Sequence, residues 1–88
     1  PLSLEQLALI AGISARQLNR IFVQILGVSA MTYYRRLRLD IAQRLVRGSA
    51  MSVAAIAEAT GFSNAAHFST AYARHFGRRP SADRKPEV

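Results

Sequence analysis

Apolar residues recur along the chain at the three- and four-residue spacing of helices, and glycines interrupt the pattern at regular places. The first run, Leu4, Leu7 and Ala8, stops at Gly12, and the second, Leu18, Ile21, Phe22 and Ile25, stops at Gly27. A longer run predicts a helix from Ala30 to Val46, with Tyr34, Leu37, Ile41 and Leu45 in one stripe and Leu39, Ala42 and Val46 widening it. Gly48 stands just past its end. Two further runs follow: Val53, Ile56 and Ala57 up to Gly61, then Phe68, Ala71 and Tyr72 up to Gly77. Alternation of period two is absent, so the fold class is all-α.

The outer runs are copies of each other. At an offset of 49, Ser3, Leu4, Leu7, Ala8 and Gly12 fall on Ser52, Val53, Ile56, Ala57 and Gly61. At an offset of 50, Ser14, Leu18, Phe22 and Gly27 fall on Asn64, Phe68, Tyr72 and Gly77, so the second turn is longer by one residue. Ser3, Ser14, Ser52 and Asn64 each stand where an N-cap oxygen would accept from free backbone N–H groups, and Ser29 does so for the long helix. The predicted organisation is a first helix-turn-helix over 1–28, a linker helix over 29–48, a second helix-turn-helix over 49–79, and a short final helix or tail over 80–88. Because so wide an arc of the linker helix is apolar, both copies are expected to pack on it.

Charge narrows the choice of partner. Twelve Lys and Arg against five Asp and Glu give a net charge of +7, which calls for a polyanion: nucleic acid or an anionic membrane surface. The chain has no cysteine, hence no disulfide framework and no thiolate metal site. No apolar run reaches the roughly 18–20 residues that span a bilayer, and the expected location is the cytoplasm, at the nucleoid. Beginning at Pro1 rather than Met, the chain reads as a piece of a longer protein.

The second helix of each copy carries the candidate chemistry. In the first copy Leu18, Ile21, Phe22 and Ile25 project inward, which leaves Arg16, Arg20, Val23 and Gln24 outward, flanked by Gln17 and Asn19. Arginine can bond guanine bidentately, and Asn and Gln can do the same to adenine. Arg16 and Arg20, one turn apart, repel each other by roughly 0.2–0.5 kcal/mol in an isolated helix, so an external anion is expected. In the second copy the equivalent positions are Ala66, Thr70 and Ala73, which can touch thymine methyls, while Ser69 or Thr70 can form single hydrogen bonds. Base reading is therefore assigned to Arg16, Asn19, Arg20 and Gln24, with Ala66, Ser69 and Thr70 in the second copy. Phosphate contact falls to Gln17, to Arg36, Arg44 and Arg47 on the polar face of the linker helix, and to the cluster Arg74, Arg78, Arg79, Arg84 and Lys85. Arg38 projects on the apolar side and is expected at a seam between helices.

The segments LSLEQLALIAGISARQLNRIF, YYRRLRLDIAQRLV and VAAIAEATGFSNAAHFSTAYARHFGRRPS resemble the DNA-binding domain of AraC/XylS-type bacterial transcription regulators. The resemblance spans nearly the whole chain, and the order IA, GF, HF, AY, FG is its most specific part. It implies two helix-turn-helix subdomains on one linker helix, with two recognition helices in adjacent major grooves and an activator's role. Carried over by position, the base-reading face falls on Arg16, Asn19 and Arg20, and on Ala65, Ala66, Ser69 and Thr70. Two departures stand out: the family has arginine where Thr70 stands, and it has another helix before Leu2. The resemblance also implies an effector-binding or dimerising domain elsewhere on the full chain, most like the subgroup with a glutamine-amidotransferase-like domain, and a surface that can contact RNA polymerase.

Enzymes fit poorly. His67 and His75 lack a third ligand, Ser14 and Ser63 adjoin helix starts rather than a base, and the scattered carboxylates form no acid/base pair. No cofactor and no metal is expected, and His75 takes a core position equivalent to Ile25. The remaining rival is a helical protein-interaction module with only non-specific DNA affinity; a membrane role is disfavoured because the apolar stripes are matched internally.

Overall fold

Serine and asparagine caps set where the helices begin. In the computed structural model, which describes residues 2–84, Ser3 and Ser14 form reciprocal capping boxes with Gln6 and Gln17 ahead of α1 (Leu4–Ala11) and α2 (Ala15–Leu26). Ser29 Oγ accepts from Thr32 N–H at the start of α3 (Ala30–Gly48). Ser52 and Asn64 cap α4 (Val53–Ala59) and α5 (Ala65–Phe76), and Pro80 opens the single turn of α6 (Pro80–Asp83). The described residues contain no strand, so the protein is all-α. Lys85 and the end of the tail lie outside the described residues.

Helix ends follow a more varied chemistry than glycine alone. Gly12 takes φ 75°, a region closed to most side chains, and its N–H bonds back to Ala8 and Leu9. Gly48, by contrast, lies inside the last turn of α3 without a positive φ; Ser49 ends that helix by giving both its N–H and its hydroxyl to Leu45 C=O. In the second copy Thr60 caps α4, its hydroxyl donating to Ile56 C=O at 2.7 Å, and Gly61 then takes φ 79°. Phe62 N–H then bonds to Ala57 C=O as Ile13 N–H does to Ala8 C=O, so the extra residue of the second turn is Ser63, just before the Asn64 cap.

The chain divides within α3 into two compact units, residues 1–35 and 36–88. In the first, Ala8 and Ala30 are buried and Phe22 meets Tyr33 at 5.6 Å between ring centroids. Tyr34 OH accepts from Leu2 N–H, and Asn19 Oδ1 accepts from Ala30 N–H at 3.0 Å. The inward stripe expected for α2 is only half realised: Leu18 and Phe22 are half-buried, whereas Ile21 and Ile25 are exposed, Ile25 at 74%. Two short helices and the first turns of α3 leave that side of α2 uncovered within the unit.

The second unit holds the larger core: Leu39, Ala42 and Val46 of α3, Ile56 and Ala57 of α4, Phe62, and Phe68 and Tyr72 of α5. Here too the stripe shifts. Leu37 and Ile41 are exposed, because α4 and α5 pack on the line Leu39–Ala42–Val46 instead. A ladder of rings runs from Phe62 to Phe68 (5.2 Å), Tyr72 (5.6 Å) and Phe76 (4.5 Å). Arg38 sits at the expected seam, donating to Thr60 and Gly61 C=O at 2.6 Å each and lying 4.5 Å over the Phe62 ring. It thus satisfies carbonyls that the end of α4 leaves without helical partners. His75 is not a core residue: it is exposed, edge-on to Phe76 and 3.7 Å from Asp40.

Asp83 is buried and accepts from four side chains: Tyr72 OH, Gln43, Arg47 and Arg78. The Tyr72 hydrogen bond above all, then Arg47 and Gln43, hold its carboxyl below the ordinary value of 3.8 against the opposing effect of burial. Burial, reinforced by the same hydrogen bond, raises the Tyr72 phenol far above its ordinary value of 10.0.

Both shifts stabilise the fold at neutral pH. The Asp83 contribution is complete above its unfolded value and is lost as pH falls below 3.8 through the folded value; the Tyr72 contribution is complete below pH 10.0 and is lost as pH rises beyond it. Replacing Asp83 with Asn should therefore flatten the acid limb of a melting-temperature-against-pH curve, and Tyr72→Phe should flatten the alkaline limb. Phe68, fully buried between Phe62 and Tyr72, should cost about 3–5 kcal/mol of unfolding free energy when cut to alanine. Urea titration followed by circular dichroism measures it, and an unchanged midpoint contradicts the core assignment.

Candidate nucleic-acid interface

Each unit presents the second helix of its helix-turn-helix with a solvent-facing side, and the two sides differ in chemistry. On α2, Arg16, Gln17, Arg20, Val23 and Gln24 are exposed together. Arg16 and Arg20 stand about 6 Å apart along the axis, the rise of four residues. Among the described residues no carboxylate or carbonyl bonds either guanidinium. Gln17 Oε1 is engaged by Ser14 N–H in the capping box, which holds the side chain against the helix start.

Asn19 sits differently from its neighbours. It is half-buried, and its carbonyl oxygen accepts from Ala30 N–H at the start of α3. Bidentate reading of adenine needs that oxygen together with the amide nitrogen, so this side chain has a structural task the sequence did not reveal: it fixes the entry of α3 on α2.

On α5 the exposed side is short and uncharged up to Arg74. Ala66 and Thr70 are exposed, Ala65, Ser69 and Ala73 are half-exposed, and the Thr70 hydroxyl donates back to Ala66 C=O at 3.0 Å. Arg74 closes this side and is exposed.

The arginines expected to meet phosphates separate into two groups. Arg36, Arg44, Arg74 and Arg79 are exposed and have no bonded partner among the described residues. Arg47 and Arg84 are structural: Arg47 donates twice to Asp83, and Arg84 donates to Ser49 and Met51 C=O, stapling the α3–α4 connection. Arg78 is intermediate, exposed at 57% of its side chain yet 3.5 Å from Asp83. Neither helical projection nor composition could separate these groups, because the deciding partner, Asp83, is some forty positions away from Arg47 and Gln43 in sequence. No group of three or more metal-ligating side chains occurs among the described residues, and no helix among them is long and apolar enough to cross a membrane.

A family model described as a helix-turn-helix domain matches residues 7–86. The transcriptional regulator GlxA of Rhizobium meliloti is 42% identical over 97% of the chain and 26% of its own length. The transcriptional activator RhaS of Escherichia coli is 44% identical over 77% of the chain and 24% of its own. The chain thus spans about a quarter of the length of these relatives. Among solved structures, an AraC-type regulator from Chromobacterium violaceum superposes with a TM-score of 0.91 at 42% identity, covering 96% of this chain and 75% of that one. The DNA-binding domain of AdpA, solved in complex with a target DNA, does so at 0.87 and 29% identity, covering 93% and 74%. With the match spread over both helix-turn-helix units and the helix between them, the chain belongs to the AraC/XylS-type family of helix-turn-helix DNA-binding domains.

Proposed function

We propose that this chain reads double-stranded DNA by sequence as the DNA-binding part of a bacterial transcription regulator, with α2 and α5 entering adjacent major grooves and the full-length protein acting as an activator. One observation carries the reading. Arg16 and Arg20 stand exposed and without an internal partner on one face of α2, in a chain that engages Arg38, Arg47 and Arg84 internally. Two like charges one turn apart weaken a helix unless an anion meets them, and a spacing of about 6 Å suits two positions nearly two base steps apart. Gln24 continues this face and serves as a helper, with Asn19 contributing its amide nitrogen. Arg36, Arg44, Arg74 and Arg79 hold backbone phosphates, with Gln17 and Arg78 assisting, while Ala66, Ser69 and Thr70 read methyl groups and single acceptors.

The protein acts in the cytoplasm at the nucleoid, without cofactor, metal or catalysis, and its effector or dimerisation domain lies elsewhere on the full-length chain. A second reading is a helical protein-interaction module. It is favoured by the exposed Leu9, Ile10 and Ile25 of the first unit, which would suit docking on RNA polymerase or on another part of the full protein.

Selection from a randomised duplex pool at fixed salt tests the main reading: two specified blocks about one helical turn apart are expected. Absence of any specified block favours the interaction module. Arg20→Ala should weaken binding to the selected duplex by about 1–3 kcal/mol and relax one base position on re-selection. Uniform weakening across all sequences would instead make Arg20 a phosphate contact.

A further inference from the structure

The central line of α5, Ala66, Thr70 and Ala73, is short, and its one hydroxyl is turned back onto the helix. Beside it runs a second line. Seven residues advance a helix by nearly two full turns, so His67 and Arg74 stand one above the other, about 10.5 Å apart. Both are exposed. The His67 ring is held in place: Ser63 Oγ lies 3.2 Å from Nδ1, and the ring packs edge-on to Phe62 at 5.7 Å and 74°. Its Nε2, at the far edge of an exposed ring, is the open nitrogen.

A major groove is about 12 Å wide and a helix with side chains about 10–12 Å across. A helix whose central line bears only small side chains can sit deep, and longer side chains flanking that line then meet the groove walls, which are phosphate. We propose that His67 holds a backbone phosphate at the edge of the groove that α5 enters, donating from Nε2–H, while Ser63 donates to Nδ1 and so keeps the ring proton on Nε2. Arg74 holds the same wall two turns further on. The inference rests on the reading of α5 as a groove-entering helix. It gives the second unit an anchoring contact in the place where the family pattern has an arginine at the Thr70 position.

The test uses this chain and a duplex selected with it from a randomised pool. His67→Phe keeps the ring and its contact with Phe62 but removes the donor, and should weaken binding about tenfold on every sequence tested. His67→Gln restores an N–H and should recover most of that loss; Ser63→Ala, which frees the tautomer, should lose only about two- to threefold. Single methylphosphonate substitutions along the duplex should reveal one position that weakens the wild-type complex and leaves the His67→Phe complex unchanged. Undiminished binding by His67→Phe, additive losses at every phosphate, or a loss confined to one base identity on re-selection each overturn the proposal. Ala66→Glu separates this outcome from failure of the parent reading, since an anion on the central line should abolish binding wherever α5 lies in a groove. If Ala66→Glu binds normally, α5 does not face DNA and both readings fall; if it fails to bind while His67→Phe binds normally, only the role of His67 falls.

Discussion

A buried carboxylate governs the second unit. Withdrawing Asp83 from water costs several kcal/mol, a cost that is offset by the hydrogen bonds from Tyr72, Gln43 and Arg47, with the more distant and exposed Arg78 adding to them. The donors come from α3, from α5 and from the turn after α5, so the charge cannot be satisfied unless these elements are in register. α6 has a single turn and could not persist alone; the carboxylate at its end and the buried Pro80 at its start keep it in place. The rotation of α5 about its axis follows as well. With Tyr72 committed to Asp83 and Phe68 to the core, Ala66 and Thr70 have no direction left but outward.

A second internal use of arginine completes the unit. Arg38 caps the end of α4 through Thr60 and Gly61 and lies on Phe62, which in turn supports Phe68 and His67. The angle between α4 and α5 therefore depends on a cation placed on a third helix, together with the left-handed Gly61. The first unit is held differently among the described residues. Its turn relies on two capping boxes and Gly12, and its α2 is tied to α3 by the Asn19–Ala30 hydrogen bond and the Phe22–Tyr33 ring contact.

The all-α class and the caps were legible in the sequence because each depends on neighbours within four residues. Ser3, Ser14, Ser52 and Asn64 cap where the pattern places them, and the outward positions of Arg16, Arg20, Ala66 and Thr70 follow from helical geometry alone. What was not legible involves distant partners. Periodicity gave α3 a wide apolar arc but could not say that Leu39, Ala42 and Val46, rather than Leu37 and Ile41, meet α4 and α5. A similar limit hid the tasks of Arg47 and Arg84, since an arginine's sequence position does not show whether a carboxylate or carbonyl far along the chain will reach it.

The division of the arginines has a consequence for how tightly the protein should hold any polyanion. Binding to DNA displaces condensed counterions in proportion to the cations that reach phosphates, and this release sets both the non-specific affinity and its steepness with salt. Arg38, Arg47 and Arg84 are tethered to internal oxygens, and the tether on Arg47 is itself an anion. The polyelectrolyte term is then set by Arg35, Arg36, Arg44, Arg74 and Arg79 with the α2 pair and, in part, Arg78, fewer charges than the composition offers. A basic protein built in this way adheres less to random DNA than its twelve Lys and Arg suggest, which leaves a larger share of its affinity to the few contacts that distinguish one sequence from another.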